Sequence, residues 1–192
     1  VGASGTAAAP ITISCYGNED DGWPIVTNAS GTGISSTGRD WVRMSKFHAT
    51  GCSSHGLNLR GSNCLFADME SDQNGGSGLT FNLGASLSNA TYTRINCHDN
   101  VDHAIGAAGN TGSVVIQSVK FADCQGVGST GSGKHGLYME FLSGATGSYM
   151  TDITVCGSAS RFSENTGCGI NLRNTVDAYP GASSLYNRNV NV

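Results

Sequence analysis

The chain has 192 residues, near the size of one domain, with a formal net charge of −4 and 12% charged residues. Its 28 glycines and many Ser, Thr and Asn residues leave few helix formers, so short strands joined by turns are expected. The acidic balance and the lack of a Lys and Arg run argue against nucleic acid as a partner. No apolar run is long enough for membrane insertion.

The chain opens almost directly on the segment PITI, residues 10–13, and WPIV follows it at 23–26. From there a short pattern recurs: Cys or Asn, three residues, Gly or Ala, then apolar, any, apolar. The copies begin at Cys52, Asn74, Asn100 and Asn165, and a copy from Cys124 carries extra residues in its spacer. The distance between successive copies along the chain indicates a solenoid, in which each repeat forms one coil on the next.

A strand-like segment leads into each of the copies that begin at Cys52, Asn74, Asn100 and Cys124. The four segments, 42–52, 64–74, 90–100 and 114–124, align in one register. The last segment, about 155–165, fits this register poorly. Hairpin signals of the Asn-Gly or Asp-Gly kind are nearly absent between the segments, which argues against a β-sandwich. We therefore expect an all-β domain over residues 1–192 in which parallel strands stack coil on coil.

The opening SGTAAAPITISCYG and the segment VRMSKFHATGCSSHGLNLRGSN resemble right-handed parallel β-helix proteins of the pectate lyase-like kind. The resemblance covers roughly residues 5–173. It implies a single-stranded, right-handed parallel β-helix of about six coils, truncated at both ends. Such a domain is expected to be a fragment of a longer helix or to be capped by another chain, and its open ends would favour self-association.

Stacked coils place equivalent residues in ladders along the axis, so the alignment predicts which side chains are neighbours. The recurring Cys or Asn should form one ladder at a turn, where stacked amides can bond coil to coil. The residue before the recurring Gly or Ala forms a second ladder that contains three histidines, and a structural imidazole is favoured there over a metal ligand. The expected ladders are Cys52, Asn74, Asn100, Cys124 and Asn165; His55, Ser77, His103, His135 and Cys168; and inside the core Met44, Phe66, Tyr92 and Ile116.

The segment DMESD, residues 68–72, places three acids at alternate positions of one strand, which predicts that all three face solvent. The alignment brackets them with bases from neighbouring coils. Two interpretations remain open: ordinary ion pairs along an exposed sheet, or crowded carboxylates with raised pKa values that exchange protons or hold Ca²⁺. The predicted rows are Lys46, Asp68, Arg94 and Ser118; His48, Glu70, Asn96 and Lys120; and Thr50, Asp72, His98 and Ala122.

Acids two residues apart, followed one coil later by an arginine, are similar to the calcium-dependent β-helix polysaccharide lyases. That resemblance implies that Asp68, Glu70 and Asp72 hold Ca²⁺ or neutralise a uronate and that Arg94 assists. It also implies a lysine base, which is not found where the family has it. Lys46 or Lys120 would have to serve, with His48 and His98 contacting the substrate.

A second candidate site is the Gly/Ser-rich loop at 125–134, which leads into His135, Tyr138 and Glu140. Insertions in solenoids cluster on the binding face, so these three side chains are candidates for polysaccharide binding. A flexible loop above an ordinary sheet is the alternative.

The sequence therefore predicts a polysaccharide-engaging protein that is extracellular or lies on the surface of a cell or virion. The enzymatic version is a calcium-dependent lyase acting on uronic-acid polymers. The alternative is a noncatalytic structural β-helix, such as a phage tail-spike segment, an adhesin or a filament subunit. The residues leave open whether the protein is an enzyme.

Overall fold

A computed structural model of the chain describes residues 1–15, 22–36, 38–81, 85–109, 114–141 and 149–174. All regular secondary structure in those ranges is β-strand, so the predicted all-β fold is confirmed for the described residues. None of these residues forms a helix able to cross a membrane. The strands are β1 (Ile11–Ser14), β2 (Ile25–Val26), β3 (Ile34–Ser35), β4 (Val42–Thr50), β5 (Leu57–Asn58), β6 (Leu65–Asp72), β7 (Leu79–Thr80), β8 (Leu87–Ser88), β9 (Thr91–His98), β10 (Ile105–Gly109), β11 (Val115–Ala122), β12 (Gln125–Val127), β13 (Leu137–Phe141), β14 (Tyr149–Cys156), β15 (Arg161–Ser163) and β16 (Ile170–Asn174).

The strands form two parallel sheets. The first sheet has the order β1-β4-β6-β9-β11-β14, with β2, β8, β12 and β15 attached beside this path. The second sheet has the order β16-β13-β10-β7-β5-β3. The chain visits the two sheets in turn, and each return adds a strand in parallel to the one before, for example β4 to β6 and β6 to β9. This arrangement is consistent with the predicted parallel β-solenoid, and one passage through both sheets is called a coil below.

Left-handed backbone marks the bends of each coil at every fifth residue along β4, β6 and β9. L-residues rarely adopt positive φ, because the side chain crowds the backbone, yet non-glycine residues occupy most of these bends. Equivalent bends lie in adjacent coils, so the chain turns in the same places as it stacks. The bends are Trp41, Lys46 and Gly51; Asn63, Asp68 and Gln73; Asn89, Arg94 and Asp99; and Ser118, Asp123 and Gly128.

The register predicted for the first three coils is confirmed. Phe66 lies opposite Met44 and Tyr92, while Asp72 lies opposite Thr50 and His98. Alternation of apolar and polar residues, with buried Met69 between the two outward acids Asp68 and Glu70, was enough to specify it.

The register predicted for β11 is wrong. Phe121, rather than Ile116, lies opposite Tyr92, and Lys120 lies opposite Thr91 rather than Asn96. The true pairing differs from the predicted one by five residues, which is also the spacing of successive bends, so the bends match in either register. Packing selects between them, since the rings of Phe121 and Tyr92 stack with centroids 5.1 Å apart.

The turn ladder is built from asparagine amides, as predicted, but Cys124 is not part of it. Cys52 N–H donates to Asn74 Oδ1 at 2.9 Å, and Asn74 N–H donates to Asn100 Oδ1 at 3.1 Å. In the next coil Ser129 N–H donates to Asn165 Oδ1 at 3.0 Å, so Ser129 takes the position expected for Cys124. The five-residue change in register accounts for this exchange as well.

The interior between the sheets is a continuous apolar core. An aromatic stack runs along it, in which Tyr92 lies 5.3 Å from Phe66 and 5.5 Å from Phe81 between ring centroids. The Tyr92 hydroxyl is satisfied because it donates to Leu59 O at 2.8 Å, which joins the two sheets. None of the seven cysteines forms a disulfide, and Cys97 is fully buried as a small hydrophobic residue.

Candidate functional site

The three acids of β6 form one surface, named here the carboxylate face and defined by Asp68, Glu70 and Asp72. Asp68 and Glu70 are partly exposed, as expected from their outward positions. Asp72 is only 7% exposed, so the expectation that all three acids face solvent is wrong for it. The neighbouring strand β4 covers this carboxylate, because Thr50 lies opposite Asp72 and His48 contacts its Oδ1.

Each acid of the carboxylate face is engaged by a base from a neighbouring strand. Arg94 pairs with Asp68 through two nitrogens, with Nη2 2.8 Å from Oδ2. His98 Nε2 lies 2.9 Å from Glu70 Oε1, and His48 Nε2 lies 2.7 Å from Asp72 Oδ1. The predicted bracketing by Arg94, His48 and His98 is therefore confirmed.

Lys46 sits at a left-handed bend beside this surface. No salt bridge links it to a carboxylate among the residues that the structure describes.

Contacts on the carboxylate face favour the charged forms of Asp72 and His98. Burial alone would raise the pKa of Asp72, but hydrogen bonds from Thr50 and His48 and the charges of His48 and His98 lower it below its ordinary value. Burial would likewise lower the pKa of His98, but its bonds to Glu70 and Asp99 raise it. The direction at Asp72 is opposite to the raised pKa expected for a carboxylate that exchanges protons near neutrality.

A calcium ion needs about six to eight oxygen ligands arranged around one point. The carboxylates of this face turn to three different bases instead of to each other. Within the described ranges no group of three or more His, Cys, Asp or Glu side chains could hold a metal ion. As arranged, these residues do not fit Ca²⁺.

Lys120 lies away from the carboxylate face. In its true register it is opposite Thr91, on the part of the first sheet that precedes the bend at Arg94. There it lines a shallow depression of about 410 Å³ with Thr91, Asp152 and other polar side chains. Lys120 therefore cannot reach the acids as the predicted base from an adjacent row.

The predicted ladder of residues before the recurring Gly or Ala is confirmed on the second sheet's side of the coil. His55 Nδ1 accepts the N–H of Ser77 at 3.0 Å, and His103 Nδ1 accepts the N–H of His135 at 3.0 Å. His135 Nδ1 accepts the N–H of Cys168 at 2.7 Å. Each imidazole thus joins its coil to the next, and because Nδ1 is an acceptor the neutral ring carries its proton on Nε2.

The imidazole ladder borders a cleft of about 340 Å³, named here the histidine cleft. Its floor is the outward row of the second sheet, where Asn58, Thr80, Gly106 and Tyr138 lie opposite one another in successive strands. Thr80 and Gly106 are small, which leaves the depression that the larger neighbours surround. The cleft is lined by His55, Asn58, Ser77, Thr80, Asp102, His103, Gly106, Ala107, Lys134 and Tyr138.

Flat rings and polar groups meet in the histidine cleft. The rings of His103 and Tyr138 stack with centroids 4.2 Å apart and planes 12° apart, and His135 stacks on both. Lys134 Nζ lies 2.8 Å from Asp102 Oδ1, so their charges offset each other. Oδ1 of Asn58 is buried and accepts no hydrogen bond from a described residue.

The two histidines that line the cleft are held neutral at physiological pH. Burial lowers the pKa of His103 to about 4, against the opposing charge of Asp102. Burial also lowers the pKa of His55. Protonation would in addition place a second N–H against the backbone N–H that each Nδ1 now accepts.

The predicted loop at 125–134 is hydrogen-bonded to the preceding coil. It begins with β12, and Thr130 and Gly131 donate backbone hydrogen bonds to the preceding coil at Asn100 and Val101. This path carries Lys134 to Asp102, a pairing that no sequence pattern predicted.

Of the three residues predicted around the loop, His135 and Tyr138 belong to the ring stack. Glu140 is only 5% exposed and is not a surface ligand. The usable signal for the cleft was the weak copy NVDHAIGA, where Gly106 replaces a larger side chain.

Comparison of the chain with protein-family models, with curated proteins and with solved structures finds no match in any of the three.

Proposed function

We propose that the protein is a noncatalytic, right-handed parallel β-helix of the pectate lyase-like kind that engages polysaccharide along its second sheet. The observation that carries this proposal is the histidine cleft, an open depression bordered by stacked rings and hydrogen-bonding side chains. Ligand sites combine apolar or aromatic surface with a few placed polar groups, and a sugar has both an apolar ring face and hydroxyl groups. The right-handed sense is supported by the strong preference of parallel strand connections for that hand.

The noncatalytic version is favoured over a uronate lyase by the carboxylate face. In a calcium-dependent lyase the carboxylates hold the ion that neutralises the uronate, but Asp68, Glu70 and Asp72 are paired with Arg94, His98 and His48 instead. Lys46 lies beside them without a group, among the described residues, that neutralises the uronate for it. Lys120 lies on another part of the first sheet. The pairing is the one expected of a stabilised strand surface.

A protein with this function would act outside the cell or on the surface of a cell or virion, where polysaccharide is displayed. A tail-spike segment, an adhesin and a filament subunit are the structural roles that suit it.

The test has two arms. In the first, the protein is run through native gels that contain a panel of neutral and uronic-acid polysaccharides, and retardation by at least one polymer is expected. In the second, the same uronate polymers are incubated with the protein, with and without Ca²⁺, and ultraviolet absorbance is followed for unsaturated products; none is expected. Retardation by no polymer would refute polysaccharide engagement, and calcium-dependent formation of unsaturated products would establish the lyase instead.

A further inference from the structure

The structure assigns to the histidine cleft a binding subsite for an uncharged glycan, with the partly exposed Tyr138 ring as the surface on which a sugar packs. This inference rests on the proposed function and names its ligand class, in contrast to the uronic-acid polymer suggested by the sequence. Four observations on the cleft support it.

The first observation is the length of the cleft. Its floor runs from Asn58 through Thr80 and Gly106 to Tyr138, which are in register on four neighbouring strands. Adjacent strands are about 4.8 Å apart, so the floor extends about 14 Å along the axis. A depression of that length suits consecutive units of an extended chain.

The second observation is the mixture of surfaces. Tyr138 stacks on His103 and also borders the cleft, so its ring is held in one orientation and little entropy is lost when a ligand packs beside it. Thr80 adds a hydroxyl group to the lining, and the Ser77 hydroxyl, also in the lining, donates to Asp102 Oδ2 at 3.3 Å. A ligand that matches both must present an apolar face and hydroxyl groups together.

The third observation is charge. Lys134 and Asp102 are the charged residues among those that line the cleft, and they form an ion pair with each other. His55 and His103 are neutral at pH 7 because burial lowers their pKa values. A uronate carboxylate in the cleft would meet a lysine whose charge Asp102 already offsets, and it would be repelled by the Asp102 carboxylate, whereas an uncharged sugar meets no such repulsion.

The fourth observation is the direction of the donors and acceptors. Nδ1 of His55 and of His103 accepts a backbone N–H, which leaves Nε2–H as the donor that a sugar oxygen can accept. His103 Nε2 lies 3.6 Å from Asp102 Oδ1, too far for that carboxylate to hold the proton in a normal hydrogen bond. Asn58 also lines the cleft, and its buried Oδ1 lacks a partner among the described residues, so it is an acceptor without a donor.

The experiment measures retardation of the wild-type protein in native gels that contain a soluble glucan, a soluble mannan or polygalacturonate, over a concentration series. We expect binding to at least one of the two neutral polymers and none to polygalacturonate. Binding to polygalacturonate alone would overturn the inference while leaving the proposed function standing. Binding to none of the three polymers would overturn the inference; retardation by another polymer of the wider panel would still satisfy the proposed function.

The position of the subsite is tested with variants. Tyr138→Leu removes the ring and should weaken binding to the neutral polymer about tenfold, whereas Tyr138→Phe keeps the ring and should bind within about twofold of wild type. Lys120→Ala, on the first sheet, is the matched surface control. Equal binding by Tyr138→Leu and wild type would place the site elsewhere and overturn the assignment.

A second variant guards against loss of fold in Tyr138→Leu. Gly106→Ser introduces a Cβ that meets His103 Cβ at 3.0 Å and Ser77 Oγ at 3.1 Å, so it narrows the cleft while the Tyr138 side chain is kept. Its unfolding temperature is checked first by circular dichroism. Reduced binding by folded Gly106→Ser supports the subsite, and unchanged binding contradicts it.

Discussion

The carboxylate face and the histidine cleft are both polar clusters on the surface of the same stacked coils, but they satisfy their polar groups in opposite ways. On the carboxylate face each acid has its own base, so the charges are used within the protein. In the cleft, His55 and His103 each accept a backbone N–H at Nδ1, and the N–H at Nε2 remains as a donor for a ligand. Charge density alone therefore does not locate a binding site. A densely charged surface can have all its charges paired within the protein, while a nearly neutral surface can keep donors and acceptors for a ligand.

This contrast predicts that the carboxylate face supports stability and the cleft supports binding. The largest effect is expected for Asp72→Ala, which removes the most buried acid of the face and leaves His48 without its 2.7 Å partner. We expect the free energy of unfolding to fall by about 2–3 kcal/mol, measured by urea denaturation, with unchanged glycan binding. A loss of binding at full stability would break the division between the two regions.

A pH series sharpens the comparison from the side of the cleft. The pKa of His103 is about 4 in the folded protein, below its ordinary value of 6.5. The unfolded chain therefore takes up a proton that the folded chain refuses, and stability falls as pH drops from about 6.5 to 4. The loss should be about 1–2 kcal/mol after allowance for partial exposure.

His103→Gln is the variant that checks the origin of this slope, because it cannot be protonated. Its unfolding free energy should vary less over the same pH range than that of wild type. An identical slope in the variant would assign the acid sensitivity to other groups. Asp72, whose pKa is lowered in the fold, contributes in the same direction but at lower pH, as its carboxylate protonates.

His98 gives a slope of the opposite sign. Its pKa is raised in the folded protein, so its stabilisation is present below about pH 6.5 and is lost as pH rises through the folded pKa. Removal of the imidazole by His98→Gln should abolish this part of the profile and leave the acid limb in place. Chemical shifts of the His98 ring, followed by NMR titration, check the direction of the pKa change.

A smaller effect is expected for Lys134→Met, which leaves Asp102 in the cleft without its cation. Stability should fall by about 1 kcal/mol, and binding to a neutral glycan should change little, since the ligand does not use the charge. Stronger binding of a neutral polymer by the variant would be compatible with easier access, but a complete loss would show that Lys134 itself contacts the ligand.

The smallest effect is expected for the pair of Arg94 and Asp68, although two nitrogens of Arg94 contact the carboxylate. The Arg94 side chain is 57% exposed, so water screens the interaction. Asp68→Asn should cost about 0–1 kcal/mol, decreasing with added salt, as measured by denaturation at two ionic strengths. A cost as large as that of Asp72→Ala would contradict the argument that burial, rather than pairing geometry, decides the contribution.

Sequence patterns predicted what depends on local alternation and repeat length. The all-β fold, the pairing of β4, β6 and β9, the imidazole ladder and the contact of Arg94 with Asp68 all follow from the register of three regular coils. The register of β11 could not be predicted, because a shift of five residues reproduces the pattern of bends and only the packing of Phe121 on Tyr92 distinguishes the two.

The features of the site that were not predicted depend on contacts made by the ends of side chains, whereas the register predicts only the positions of the backbone. Lys134 reaches Asp102 only because the loop after β12 folds back on the preceding coil, and loops have no periodic signal to read. Glu140 occupies an outward position on β13 and is nevertheless covered. Burial of an outward residue depends on what lies over the sheet, which alternation does not encode.

The left-handed bends have a consequence for protein engineering. Each L-residue there costs about 1–2 kcal/mol of backbone energy, and asparagine relieves part of that cost. Lys46→Asn should therefore raise thermal stability, because it lowers this backbone cost and loses no salt bridge to a described carboxylate. The same change at Arg94 also loses the contact with Asp68. Positions of equal geometry thus differ in how freely they can be redesigned, and the bends mark where a thermostabilised repeat scaffold would be easiest to make.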